Sequence, residues 1–239
     1  MSDGLRLEGV IAGYSGKDIL HGVSCEIAPR SSLAVVGPNG SGKSTLLKVV
    51  VGLIRPRQGR VWFDGIDMTG FTVHERVRHG IGYAPQEANV FRNLSVFENL
   101  KIAFEFGRSS SVSFRGRLDH VLALFPEIAE KLQTRAGELS GGQRQMVAMA
   151  AAMMPAPRYL VLDEPSAGLS PKNAVVLFDI IKRVVAEGVT LLMIEQNVRL
   201  GLACTTHGLL LVNGVVRLHQ SAETLREDRN LQSLYFGVS

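Results

Sequence analysis

Apolar and polar residues alternate along Leu5-Arg6-Leu7-Glu8-Gly9-Val10 and along Gly22-Val23-Ser24-Cys25-Glu26-Ile27. Both stretches predict short strands, separated by a turn-rich segment from Ala12 to Lys17. Leu33-Ala34-Val35-Val36 is apolar without interruption and suits a strand buried on both faces. A glycine-rich turn follows, and then a predicted helix from about Lys43 to Val51. Arg60-Val61-Trp62-Phe63-Asp64-Gly65 reads as a hairpin strand, with Trp62 packed in the core or at an edge. From about Gln86 to Pro155 the periodicity turns helical. One helix starts over Leu94–Leu100, another contains His120–Phe125, and Gly107–Ser113 between them reads as a flexible loop. Strand patterns return at Tyr159–Leu162 and Val189–Ile194. Strands alternating with helices predict an α/β fold with a mostly parallel sheet. An antiparallel β subdomain is expected at the N-terminus. A helical subdomain over 86–155 is expected as an insertion in a core made of 1–85 and 156–239. No internal repeat is visible.

With 46% hydrophobic and 20% charged residues among 239, the chain can bury a sizeable core, which excludes a disordered, highly charged tail protein. A formal charge of +4 is compatible with nucleic acid, an anionic membrane face or a phosphate ligand, and selects none of them. Cys25 and Cys204 have no metal or redox spacing and are read as reduced core thiols. The longest apolar run, Met146–Met154, has nine residues, against about 20 for a spanning helix. The first residues lack the apolar stretch of a signal peptide. A cytoplasmic protein is expected, whatever the location of its partner.

Gly37-Pro38-Asn39-Gly40-Ser41-Gly42-Lys43-Ser44 matches the P-loop pattern G-x-x-x-x-G-K-[ST] at every fixed position. It lies after a buried strand and before a helix, as that chemistry requires. Triphosphate oxygens need many donors at once. Glycines let successive backbone N–H groups turn inward, and the helix N-terminus adds more of them. Lys43 is the candidate point charge for the β and γ phosphates. Ser44 is the candidate hydroxyl ligand of Mg²⁺, and Thr45 completes the expected ATP contacts. The apolar strand Tyr159–Leu162 runs into Asp163-Glu164, and adjacent carboxylates there call for a cation. Asp163 is expected to hold Mg²⁺ through water. Glu164, pointing the other way if the chain stays extended, is the candidate general base.

P-loops serve many ATPases, GTPases and kinases. The discriminating stretch is Leu139-Ser140-Gly141-Gly142-Gln143, where Ser140 is a good N-cap and two glycines expose N–H groups at a helix start. This is a second phosphate-binding device in one chain. With the P-loop, this signature, the Asp163-Glu164 strand end and Gln86 in Tyr83-Ala84-Pro85-Gln86, the sequence resembles the ATP-binding subunit of ABC transporters over nearly its whole length. The resemblance implies that Tyr14 stacks on adenine and that Gln86 helps to position Mg²⁺ and water. It implies head-to-tail pairing, in which Ser140, Gly141, Gly142 and Gln143 cap the nucleotide of the other subunit. The pair could be a homodimer or a heterodimer with a second ABC ATPase. Integral-membrane permease subunits are the implied partners, reached through a groove near the helical subdomain. That places the chain peripherally on the inner face of the cell membrane.

Two positions depart from the family pattern. Gln196 stands where a switch histidine is common, and Ser170 where an aspartate often ends the motif after Pro165. A glutamine amide can still donate to a γ-phosphate but carries no titrating proton. Glu164–Pro171, Glu195–Leu200 and the terminal Leu234-Tyr235-Phe236-Gly237 resemble ATPases of importers for branched-chain and other hydrophobic amino acids, or related amides and urea. Those importers also use a periplasmic binding protein. Gly80–Glu87 and Phe91–Val96 also resemble the ATPase of lipopolysaccharide export. A non-transport relative acting on nucleic acid is the alternative from another class. It is disfavoured because such relatives usually carry tandem cassettes or a coiled coil. A P-loop kinase is disfavoured by the signature. His74, His79, His207 and His219 read as surface or capping residues, and Arg55–Arg60 as a solvated turn.

Overall fold

The computed structural model describes residues 4–87, 89–107 and 113–228. Most of the expected Gly107–Ser113 loop, and the terminal Leu234-Tyr235-Phe236-Gly237, lie outside the described residues. In chain order the elements are β1 (Leu5–Tyr14), β2 (Lys17–Ile27), β3 (Ser32–Val36), α1 (Lys43–Val51), β4 (Gln58–Phe63), β5 (Ile66–Asp67), α2 (Val73–Arg78) and β6 (Ile81–Ala84). There follow α3 (Val96–Phe106), α4 (Phe114–Leu124), α5 (Pro126–Ala129), α6 (Gly141–Met153), β7 (Tyr159–Asp163) and α7 (Pro171–Ala186). The chain continues with β8 (Thr190–Ile194), α8 (Val198–Ala203), β9 (His207–Val212), β10 (Val215–Ser221) and α9 (Ala222–Glu227). The chain divides into two compact units, one of 1–71 with 190–239 and one of 72–189.

The first unit holds an antiparallel sheet in the order β2-β1-β4-β5 and a strand set β10-β9-β3-β8. In that set β3 lies parallel to both β8 and β9, and β10 returns antiparallel to β9. Every residue of β3 is buried, as its unbroken apolar run requires. Ala34 and Val36 pack with Val198 and Leu202 of α8 and with Leu225 of α9. Helix α1 contributes Leu46, Leu47, Val49, Val50 and Val51 to the core.

The first hairpin is longer than its sequence suggests. β1 runs to Tyr14, and only Ser15 and Gly16 turn, at φ 48° and 82°. Positive φ at both central residues marks a type I′ turn, whose twist matches the strands and lets pairing continue up to Tyr14 and Lys17. Asp64-Gly65 and Asn213-Gly214 repeat the device. Trp62 is half-buried on the inner strand β4: its indole donates to Glu8 at 2.8 Å, and the guanidinium groups of Arg6 and Arg60 lie 5.4 and 5.7 Å from its ring centroid. Arg57 pairs with Asp18 and Arg60 with Asp67, both at the surface.

In the second unit β6 and β7 are parallel neighbours. Helix α6 is apolar almost all round and therefore buried; it packs against β6, α3, α4 and α5. Capping boxes start three helices, at Thr72–Glu75, Ser95–Glu98 and Ser140–Gln143. Helix α3 begins only after its cap Ser95, so Leu94 lies outside it. Helix α4 ends at Leu124, because Pro126 disfavours helical φ and ψ at Phe125. His79 closes α2, with Nδ1 2.8 Å from the Glu75 carbonyl.

Cys25 and Cys204 are both reduced thiols, as expected. Burial pushes the Cys25 thiol up to about 12, whereas Cys204 is partly exposed. A thiol reagent at neutral pH is expected to label Cys204 in the native protein and Cys25 only on unfolding. Equal labelling rates in the native state would contradict this packing.

Candidate active site

In the first unit, the chain leaves β3 at Gly37 and enters α1 at Lys43 through the loop singled out above. Gly37 has φ 154°, and a Cβ there would meet the Leu211 carbonyl oxygen at 2.1 Å. No other residue fits that crossing. Gly42, at φ 101°, caps α1 in the left-handed region. The Lys43 ammonium is buried and donates to the carbonyls of Gly37 and Pro38, at 2.8 and 3.0 Å. Ser41 Oγ is buried with no hydrogen-bond partner among the described residues. A lysine charge at the root of a backbone loop, with an unsatisfied hydroxyl beside it, suits a polyanion. Pro38, Asn39 and Gly40 are exposed, Ser44 is half-buried and Thr45 is buried. Tyr14 ends β1 with an exposed ring, and the Lys48 ammonium stands 5.6 Å from its centroid. Gln196 is exposed. It sits between the buried Glu195 and Asn197, whose Oδ1 accepts from Leu200 N and caps α8.

In the second unit, β7 delivers Asp163, only 5% exposed, and Glu164, 8% exposed. The alternation expected for Glu164 does not apply. The strand ends at Asp163, and Glu164 itself takes φ 48°, a left-handed conformation costly for a residue with a Cβ. This local twist, rather than pleat alternation, sets the direction of its side chain. Gln86 Nε2 donates to Glu164 Oε2 at 2.9 Å, so two sequence-predicted residues do meet. Among the described residues no group of three or more His, Cys, Asp or Glu could hold a metal. A divalent cation here would draw its other ligands from phosphate oxygens, hydroxyls and water, as Mg²⁺ in nucleotide sites does.

The signature opens α6. Ser140 Oγ accepts from Gln143 N at 3.2 Å, and Gln143 Oε1 accepts from Ser140 N at 3.1 Å. The two glycines differ. A Cβ on Gly141 would meet nothing within 4 Å, whereas one on Gly142 would lie 2.6 Å from Asn173 Nδ2 of α7. Gly142 is small for packing, and Gly141 leaves open space in front of the helix. Ser170 Oγ accepts from Asn173 N at 3.3 Å and caps α7, so its hydroxyl already serves its own helix.

The sequence reading missed three amides. Asn89 donates to the buried Gln145, and the buried Asn99 bonds the backbone of Phe91 and Ser95. The available signal was Gln145 itself, a polar residue beside the run Met146–Met154.

The ABC transporter family model matches residues 20–167. The chain belongs to the ABC transporter family. It is 43% identical over 235 residues to "Probable branched-chain amino acid transport ATP-binding protein LivF" of Archaeoglobus fulgidus, covering 98% of this chain and 99% of that one. It is 34% identical to the high-affinity branched-chain amino acid transport ATP-binding protein BraG of Pseudomonas aeruginosa, covering 95% and 97%. The lipopolysaccharide export ATP-binding protein LptB of Escherichia coli is 32% identical, covering 98% and 97%. Among solved structures, the ADP conformation of an ATP-binding cassette of an ABC transporter superposes with TM-score 0.86 at 28% identity, over the full length of both chains. This cassette is therefore a nucleotide-binding ATP hydrolase with the expected P-loop α/β fold and antiparallel β subdomain. No helix among its described residues is long and apolar enough to cross a membrane.

Proposed function

We propose that this cassette powers import of branched-chain or other hydrophobic amino acids. It works on the inner face of the membrane, bound to integral-membrane permease subunits, with a periplasmic binding protein delivering the substrate. The carrying observation is the 43% identity, spread over 98% of the chain, to an ATPase named for that transport. Lipopolysaccharide export is the second reading, favoured by the 32% identity to LptB. One uptake experiment separates them. Cells relying on a Glu164→Gln cassette are expected to lose uptake of labelled leucine, isoleucine and valine while lipopolysaccharide reaches the surface. Normal uptake with failed lipopolysaccharide export would reverse the choice.

The site residues then take the following roles. Gly37, Pro38, Asn39, Gly40, Ser41, Gly42, Lys43 and Thr45 hold the phosphates of ATP, and Tyr14 offers its exposed ring to adenine. Ser44, Asp163 and Gln86 are the residues for Mg²⁺, which when bound neutralises phosphate charge. Glu164 accepts the proton of the attacking water, and Gln86 fixes the orientation of that carboxylate. Gln196 takes the sensing position of the switch histidine with an amide in place of an imidazole. Gln196→Ala is expected to lose about tenfold in turnover and Gln196→His to keep it, as one hydrogen bond to a charged group implies. Full activity in the alanine variant would remove Gln196 from the site. In the proposed pair, Ser140, Gly141, Gly142 and Gln143 face the nucleotide of the other subunit.

The helical subdomain proposed for 86–155 lies inside the second unit, and this unit carries a groove for a permease segment. The groove has a volume of about 290 Å³ and is lined by Val73, Val77, Tyr83, Phe91, Ile102 and Phe106 among others. Phe91, Ile102 and Phe106 are 59%, 42% and 46% exposed, a large apolar display for one face. Phe106→Asp is expected to keep basal ATPase and to disappear from the membrane fraction. Retention on membranes would locate the docking face elsewhere.

A further inference from the structure

Between β6 and α3 the described residues form no helix or strand, yet side-chain amides hold this segment at three places. At its start, Gln86 Nε2 donates to Glu164 Oε2 at 2.9 Å. In its middle, Asn89 Nδ2 donates to Gln145 Oε1 at 2.8 Å. At its end, the 4% exposed Asn99 accepts from Phe91 N at 2.7 Å and donates to the carbonyls of Phe91 and Ser95, at 3.1 and 2.9 Å. The outer two bonds end on the candidate general base and on local backbone. The middle one reaches α6, the helix that the signature opens.

Gln145 stands one helical turn beyond Gly141 and is 7% exposed, surrounded along α6 by buried methionine, valine and alanine. A buried carboxamide there needs a partner, and Asn89, 56 residues away in sequence, supplies it. Asn89 stands three residues after Gln86 and two before Phe91, which Asn99 holds through its N–H and carbonyl. Asn89 and the second turn of α6 are thereby tied together.

We propose that Asn89 and Gln145 are positioning residues for ATP hydrolysis. Their hydrogen bond keeps Gln86 aimed at Glu164 in step with the placement of the signature, so that the base is oriented when the signature is in place. This rests on the reading of Glu164 and the signature given above. Neither Asn89 nor Gln145 touches the reacting atoms.

The test uses the full chain with Asn89→Ala and Gln145→Met, alone and combined, and Gln145→Glu, which keeps an acceptor oxygen for Asn89. Turnover, KM, ADP affinity and Tm are measured for each. Each truncation is expected to lower kcat by about tenfold to a hundredfold, as misplacement of a catalytic group does. ADP affinity should hold. The double variant should be no worse than the weaker single one, because both remove the same bond. Gln145→Glu should turn over faster than Gln145→Met. Additive losses, unchanged kcat in both single variants, or no advantage of glutamate over methionine would overturn the proposal. Should Gln145→Met not fold, Asn89→Ala, a half-buried loop position, decides alone: unchanged kcat overturns the proposal. Glu164→Gln and Gly141→Ala run alongside. Normal turnover in those two would bring down the site reading itself. Their inactivity beside fully active Asn89 and Gln145 variants would bring down only the positioning role.

Discussion

Glu164→Gln is expected to bind nucleotide as the parent does and to hydrolyse it about 10²–10⁴-fold more slowly, the usual contribution of a general base. The substitution changes little else. A glutamine side-chain carbonyl oxygen can still accept the Gln86 amide, which now meets Glu164 Oε2 at 2.9 Å. Removing one of two adjacent, nearly buried carboxylates is expected to leave the strand end as stable as before, since it relieves like-charge repulsion. Equilibrium binding of ATP and ADP and single-turnover hydrolysis check this in one preparation. Turnover within about threefold of the parent would take the base role from Glu164. Glu164→Gly makes a second arm. Glycine adopts φ 48° freely, which relieves about 1–2 kcal/mol of strain, against about 0.4–1 kcal/mol of added unfolded-chain entropy and the lost Gln86 bond, so this variant should keep a Tm close to the parent's while losing the same activity. A left-handed glutamate kept at this position, although glycine would be more comfortable, is what a functional constraint on the side chain looks like.

The fold was legible wherever one local rule decided the outcome. β3 announces itself by four apolar residues in a row, and α1 by the glycine that stops the strand and the lysine that starts the helix. The extents were not legible where a turn did the deciding. Ser15-Gly16 looks like part of a broad loop until its two positive φ angles show that the strands pair right up to it. The site divides in the same way. The phosphate contacts expected of the glycine-rich loop and of the signature rest on backbone N–H groups, which need glycines at fixed spacing, and spacing is visible in sequence. Glu164 is a candidate by its position after an apolar strand, but pleat alternation does not set its direction, because its backbone leaves the pleat at that residue. The amides at Asn89, Asn99 and Gln145 were missed because each is defined by a partner in space. An asparagine in a loop carries no local mark of the buried glutamine it satisfies.

The second large effect concerns Gly141. In the free chain a Cβ at this position meets nothing within 4 Å, and alanine is the better helix former, so Gly141→Ala should fold with equal or slightly higher Tm. Its turnover should nevertheless fall by about 10²-fold, as a lost preorganised donor site does, because in the proposed pair the methyl would fill the space for the partner's nucleotide. Lys43→Ala should be equally inactive for a separate reason, loss of the charge at the root of the phosphate loop. If two chains share each pocket, these defects lie in different halves. Mixing the two inactive proteins then pairs an intact loop with an intact signature once in every mixed dimer. Half of the dimers are mixed and each carries one whole pocket of two, so the mixture should recover about a quarter of parental turnover. Recovery should rise with protein concentration, since pairing is bimolecular. An inactive mixture would mean that copies of this chain do not complete each other's pockets, and that a different ATPase supplies the second half. Activity of Gly141→Ala alone at the parental rate would remove the signature from catalysis altogether.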